Sequence, residues 1–199
     1  TGSRIIGNIG YFLEPIILTN ILIINGYQAS YIIKEYAIYN TYVIGLLIVP
    51  TFLLGALSTS LLPEISKNIN NKIKVKRIFK KIMFLTLIYG LIANIAMLVS
   101  SKLILKILFN TQEGITYIKF LAPFFIIFYF EAPLSSILQA YNETKYIMKT
   151  TTISIIIKLL SLVLLSFLKI GIYPLLISEI ISIIITVFLN YRKVKKIIA

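Results

Sequence analysis

Six apolar blocks, each long enough to cross a lipid bilayer, constrain this chain more than any other feature. They cover 5–25, 36–63, 82–101, 115–140, 150–168 and 172–190. At about 1.5 Å of rise per residue, about 20 apolar residues span the roughly 30 Å of bilayer hydrocarbon. Backbone polar groups have no water to bind there, so runs of this length must be helices. The predicted fold class is all-α: a polytopic transmembrane bundle whose six helices form one lobe over 1–199. Composition agrees. Charged residues are 14% of the chain and the mean hydropathy is +0.93, whereas a water-soluble domain carries about 25% charged residues. The run 103–109 (LILKILF) is too short to span and is expected to be an interfacial turn of helix. The Lys67–Lys81 stretch is expected to be a solvated hinge loop between helix pairs.

The net charge of +13 invites a nucleic-acid reading, but the basic residues are dispersed between apolar blocks and do not gather on a polar domain. Lipid headgroups account for them more simply, and no nucleic-acid partner is expected. With the N-terminus in the cytoplasm, fourteen Lys and Arg fall on the cytoplasmic side and five outside. The bias predicts a multi-pass protein of the cell membrane with both termini cytoplasmic. The chain has no Cys, His or Asp. No disulfide, metal site, cofactor or His-based catalysis is expected, and the chain reads as a non-enzyme. It opens on Thr1-Gly2-Ser3-Arg4 with no signal peptide, and reads as a processed or excised fragment.

The residues that carry information are ionisable groups inside the apolar blocks, each costing about 2.5–3.5 kcal/mol on insertion scales. Glu14, Glu131, Lys158 and Glu179 lie at depths that agree within about 5 Å. Each stands on or beside a polar stripe of helical spacing: Arg4, Asn8 and Tyr11 beside Glu14; Glu131, Ser135 and Gln139; Thr151, Ser154, Lys158 and Ser161; Glu179, Ser182 and Thr186. Such stripes face a bundle interior or a water-filled cavity. Lys158 reads equally as packing glue, paired with Glu179 or Glu131, and as a cavity group. One Lys is not expected to satisfy two carboxylates. Glu14 and Glu131 are therefore expected to include a carboxylate without a partner, one that binds a proton or a cation. Pro15 and Pro133 beside them suggest broken or bent helices. Tyr27, Tyr31, Tyr36, Tyr117 and Tyr191 fall near helix ends and read as interfacial belts.

Three stretches carry a family resemblance: 53–67 (LLGALSTSLLPEISK); Gly2 to Gly7 with Phe12-Leu-Glu-Pro15; and Ile107 through Tyr117–Pro123 to Pro133–Gln139 and Glu143-Thr-Lys145. In order and spacing they resemble the polysaccharide and lipid-linked sugar flippases of the MATE-like MOP superfamily. The stage V sporulation protein B-like branch is the most similar, and the lipid II flippases are related. The resemblance covers most of the chain. It implies a C-terminal half, roughly helices seven to twelve of a two-lobed transporter, with an N-terminal six-helix lobe as partner. It also implies alternating access that carries a lipid-linked saccharide across the membrane. Arg4 resembles a basic residue of the sporulation branch placed to meet phosphate, although it reads first as an ordinary positive-inside flank. The lipid II flippases carry an acidic–basic pair where this chain has Ala37-Ile-Tyr-Asn40-Thr41, which points away from lipid II.

Arg4, Asn8, Glu14, Asn40, Glu131, Gln139 and Lys158 are thus the candidate cavity residues. Rival readings are a drug or metabolite exporter of the same superfamily, a membrane-embedded polysaccharide polymerase or acyltransferase, and a purely structural subunit. An apolar cavity would favour the exporter. The topology is directly testable because the chain has no cysteine. Thiols introduced as Lys72→Cys and Lys196→Cys should both label from the cytoplasmic face only. Labelling from opposite faces would refute six spans.

Overall fold

The chain is described here by a computed structural model covering residues 2–199, with side chains from Ile5 onward. The helices are α1 (Gly2–Ile24), α2 (Ala29–Ala37), a π-helical segment (Ile38–Ile44), α3 (Gly45–Ile48), α4 (Thr51–Lys67), α5 (Lys72–Phe109), α6 (Ile115–Phe128), α7 (Glu131–Ala140), α8 (Thr144–Ser166) and α9 (Tyr173–Ile198). No strand occurs among the described residues. Five helices are long and apolar enough to cross a bilayer. The bent pair Ala29–Ile48 and Thr51–Lys67, turned by 47°, makes a sixth if it counts as one span.

The second predicted block is the least regular. It starts earlier than the apolar run, at Ala29, and passes through a π-helical segment before breaking at Pro50. Proline has no N–H to donate and its ring crowds the carbonyl four residues back, so the helix axis turns there. Pro15, by contrast, sits inside a continuous α1 and does not break it. The fourth block divides into α6 and α7 at Tyr129–Phe130, just ahead of Pro133.

One expected loop is helical, and one expected separate turn of helix is continuous with the helix before it. Lys72 to Lys81 opens α5, so the connection after Lys67 shrinks to 68–71, and 103–109 is the last part of the same helix. The physical reasons are local. Lysine is a good helix former. The Asn71 side chain caps the new start by accepting from the Lys74 N–H at 3.0 Å. No proline intervenes before Asn110, which ends the helix in the left-handed region at φ 50°. With 38 residues α5 is about 57 Å long, well beyond the hydrocarbon thickness.

Apolar side chains pack into two clusters. One joins Leu18 and Leu22 of α1, Leu47, Leu121 and Phe125 of α6, and Leu175 and Leu176 at the start of α9. The other, toward the far end of α9, joins Ile65, Val75, Phe79, Leu134, Leu138, Val194 and Ile198. Many other large apolar side chains, such as Phe12, Phe52, Ile92, Val99 and Leu164, remain exposed, as expected of surfaces that face lipid tails. Loop contacts tie one rim together. The Tyr27 hydroxyl donates to the Lys169 carbonyl at 2.7 Å and accepts from the Gly171 N–H at 3.0 Å.

Helix α8 lies against both α1 and α9, and these are the most extensive helix pairings in the bundle. The approach to α1 depends on Gly10, where a Cβ would fall 2.8 Å from Cγ2 of Ile155. Small residues let membrane helices approach this closely. Gly10→Ala should therefore lower stability by about 1–3 kcal/mol, read as a reduced unfolding midpoint in detergent. Adding Ile155→Ala should restore part of the loss.

Candidate functional site: a polar cavity around a buried ionic cluster

Four helices bring their polar stripes to one place. Asn8 and Tyr11 come from α1, and Glu131, Ser135 and Gln139 from α7. Thr151, Ser154 and Lys158 come from α8, and Glu179, Ser182 and Thr186 from α9. Together they line a cavity of about 460 Å³, with Phe128, Ile155 and Ile183 among its apolar walls. The helical period explains the assembly. On α8, Thr150, Ser154, Lys158, Leu162 and Ser166 form a buried i, i+4 row. Thr186 of α9 donates to Ser154 across the helix pair at 2.7 Å.

Lys158 is the centre of the site, with 7% of its surface exposed. Its Nζ ion-pairs with Glu14 of α1 and lies 2.5 Å from Oε2 of Glu179 on α9. The Tyr11 ring stands 5.0 Å from the same nitrogen. Tyr39, from the π-helical segment, donates its hydroxyl to Glu179 at 3.4 Å. The expectation that one Lys cannot serve two carboxylates is therefore wrong. An ammonium carries three donors, and here two point to different helices. With both carboxylates ionised, the cluster has a formal charge of −1.

The candidate residues divide. Lys158, Glu131, Gln139 and Asn8 line the cavity, and Glu14 lies buried behind it against Lys158. Glu131 is half-buried and makes no ion pair within 4.0 Å among the described residues. Asn40 lies apart: it is exposed and does not line the cavity, because the π-helical segment turns its neighbour Tyr39 inward instead. The Arg4 side chain falls outside the described residues. Glu179 and Tyr39 join the site although neither was among the candidates. The Glu179 stripe was visible in the sequence, whereas Tyr39 gave no signal, because a tyrosine in an apolar run looks like packing. Among the belt tyrosines, Tyr117 donates to Glu35 and Tyr191 packs on Phe79. No group of three His, Cys, Asp or Glu side chains is placed to hold a metal among the described residues.

The arrangement offers a cargo hydroxyls, amides and charge of both signs on otherwise apolar walls. Water should fill it when no cargo is present. Ser135→Cys, Thr151→Cys and Ser182→Cys should react with a membrane-impermeant thiol reagent. Leu160→Cys and Leu164→Cys, exposed on α8 away from the cavity, should not. Equal reactivity of the two sets would remove the cavity.

Comparison with known proteins agrees with this architecture. The sequence model of the MatE family matches residues 15–164. Stage V sporulation protein B of Bacillus subtilis (strain 168) is 32% identical over 161 residues, which cover 79% of this chain and 31% of that protein. The chain thus spans under a third of the relative's length. No solved structure matches it significantly. A polar cavity inside an all-helical membrane bundle and the family match together identify the chain as a member of the MatE family of membrane transporters.

Proposed function

We propose that this chain forms one lobe of a flippase that moves lipid-linked oligosaccharide or polysaccharide precursors across the cytoplasmic membrane by alternating access. The observation that carries the reading is the lining of the cavity. Asn8, Glu131, Gln139, Thr151, Lys158 and Ser182 give hydrogen-bonding and charged groups to a space that an exporter of apolar compounds would line with apolar side chains. A saccharide headgroup needs such partners, because each hydroxyl taken from water must be bonded again. Its lipid tail would remain in the bilayer. The similarity to a stage V sporulation protein B supports a membrane role linked to sporulation. Family membership speaks against the polymerase and acyltransferase readings.

A second lobe packed against the cavity would complete its enclosure. The relative's much greater length is consistent with such a lobe. Both termini are placed in the cytoplasm in this proposal, on the strength of the fourteen-to-five bias of basic residues. The formal −1 of the Glu14–Lys158–Glu179 cluster, with Glu131 on the same cavity wall, suits uptake of one proton or monovalent cation in each cycle.

Reconstituted into liposomes, the intact protein should move a fluorescent lipid-linked saccharide between leaflets. Glu131→Gln should slow this at least about tenfold, equivalent to about 1.4 kcal/mol, without lowering thermal stability. Asn40→Ala should leave the rate unchanged. Full transport by Glu131→Gln would remove the assigned role of that carboxylate, and loss of transport in Asn40→Ala would shift the cargo path to the π-helical segment.

A further inference from the structure

A second cavity, of about 470 Å³, lies between the start of α5 and the end of α9, away from the polar cavity. Its wall on α5 is a single helical face: Lys76, Lys80, Met83 and Leu87 follow one another at three- and four-residue steps, and Phe79 and Phe84 flank them. Tyr191, Lys195 and Ile198 give the matching face of α9, and Phe130 completes the lining. The two helices meet through Phe79 and Tyr191, whose ring centroids are 6.1 Å apart. The lining is ordered by polarity. Lys76, Lys80 and Lys195 stand toward the helix ends, while Met83, Phe84 and Leu87 continue about 16 Å inward from Lys76.

From this order we infer a binding site for one anionic glycerophospholipid, its phosphate held by Lys76, Lys80 and Lys195 and one acyl chain lying along Phe79, Met83, Phe84 and Leu87. None of the chain's seven acidic side chains lines the pocket, and the carboxylate of Ala199, which does line it, makes no ion pair within 4.0 Å among the described residues. None of the three lysines makes an ion pair within 4.0 Å among the described residues, whereas the neighbouring Lys193 is taken up by Glu143 at 2.7 Å. Three exposed ammonium groups around an apolar slot are self-repelling until an anion joins them, and basic pockets between transmembrane helices bind phospholipid headgroups. A zwitterionic lipid carries its own cation into the same place and gains little. The site is independent of what the polar cavity carries, since the two share no lining residue.

Native mass spectrometry of the intact protein in mild detergent tests the site with phosphatidylglycerol and phosphatidylcholine as probes. The protein should retain one phosphatidylglycerol and exchange phosphatidylcholine freely. The triple variant Lys76→Gln, Lys80→Gln, Lys195→Gln should bind phosphatidylglycerol about 100-fold more weakly, at about fivefold for each lysine. A control variant with Lys67→Gln, Lys72→Gln and Lys145→Gln should stay within about twofold of the parent, since none of these residues lines the pocket. In the unsubstituted protein, phosphatidylglycerol vesicles should protect Lys76, Lys80 and Lys195 from amine acylation more than Lys67, a readout that needs no variant to fold. Equal losses in the two triple variants would overturn the proposal, as would equal retention of phosphatidylcholine. Preferential capture of a polyprenyl phosphate over phosphatidylglycerol would overturn it too, by assigning the pocket to a substrate carrier.

Discussion

One buried ammonium group organises this bundle. Lys158 sits on the helix that packs against both α1 and α9, and it draws one carboxylate from each. A lone charge at that depth would be too costly to keep, and so would either glutamate by itself. Each of the three helices is therefore held in rotation and height by the need to satisfy the other two. That constraint turns the remaining polar residues inward. Ser154 and Thr151 lie one and two turns before Lys158, and Ser182 and Thr186 lie one and two turns beyond Glu179. Fixing the ionic level fixes the cavity wall.

Much of this was legible from the sequence because lipid imposes a simple rule. Where solvent offers no hydrogen bonds, apolar blocks must be helices, and the few polar residues inside them must find one another. The stripes on α1, α7, α8 and α9 could be written down from spacing alone, and all four contribute to one wall. The rule fails at its edges. Lysine-rich Lys72–Lys81 looks like a loop when only hydropathy is counted, yet its residues favour helix and Asn71 caps them. The break at Pro50 and the π-helical turn through Tyr39 and Asn40 decide which of two adjacent polar side chains faces inward, and no periodicity reports a π turn. The double pairing of Lys158 was missed for a different reason. Counting charges treats a lysine as one partner, whereas its geometry offers three donors.

The two cavities show how one chemical vocabulary serves different ends. In the polar cavity a cation is enclosed by acids and hydroxyls, leaving a space lined by groups of mixed charge. In the α5–α9 pocket cations are left without acids beside an apolar slot, which favours an amphiphile that stays. The long α5 joins the two regions. Lys76 and Lys80 stand at its start, while its middle packs through Gly90 against Tyr129, at the α6–α7 break. A lipid seated at the helix start would steady the end of α9 relative to α5, and with it the helix that carries Glu179.

Lys158 and its two carboxylates act as a single unit, and a double-mutant cycle measures this directly. Glu14→Gln, Lys158→Met and the pair together would be compared by the unfolding free energy of the intact protein in detergent. A coupling of about 2 kcal/mol or more is expected, because losing the ammonium alone strands two buried carboxylates, and removing Glu14 as well relieves part of that cost. Additivity within about 0.5 kcal/mol would contradict it.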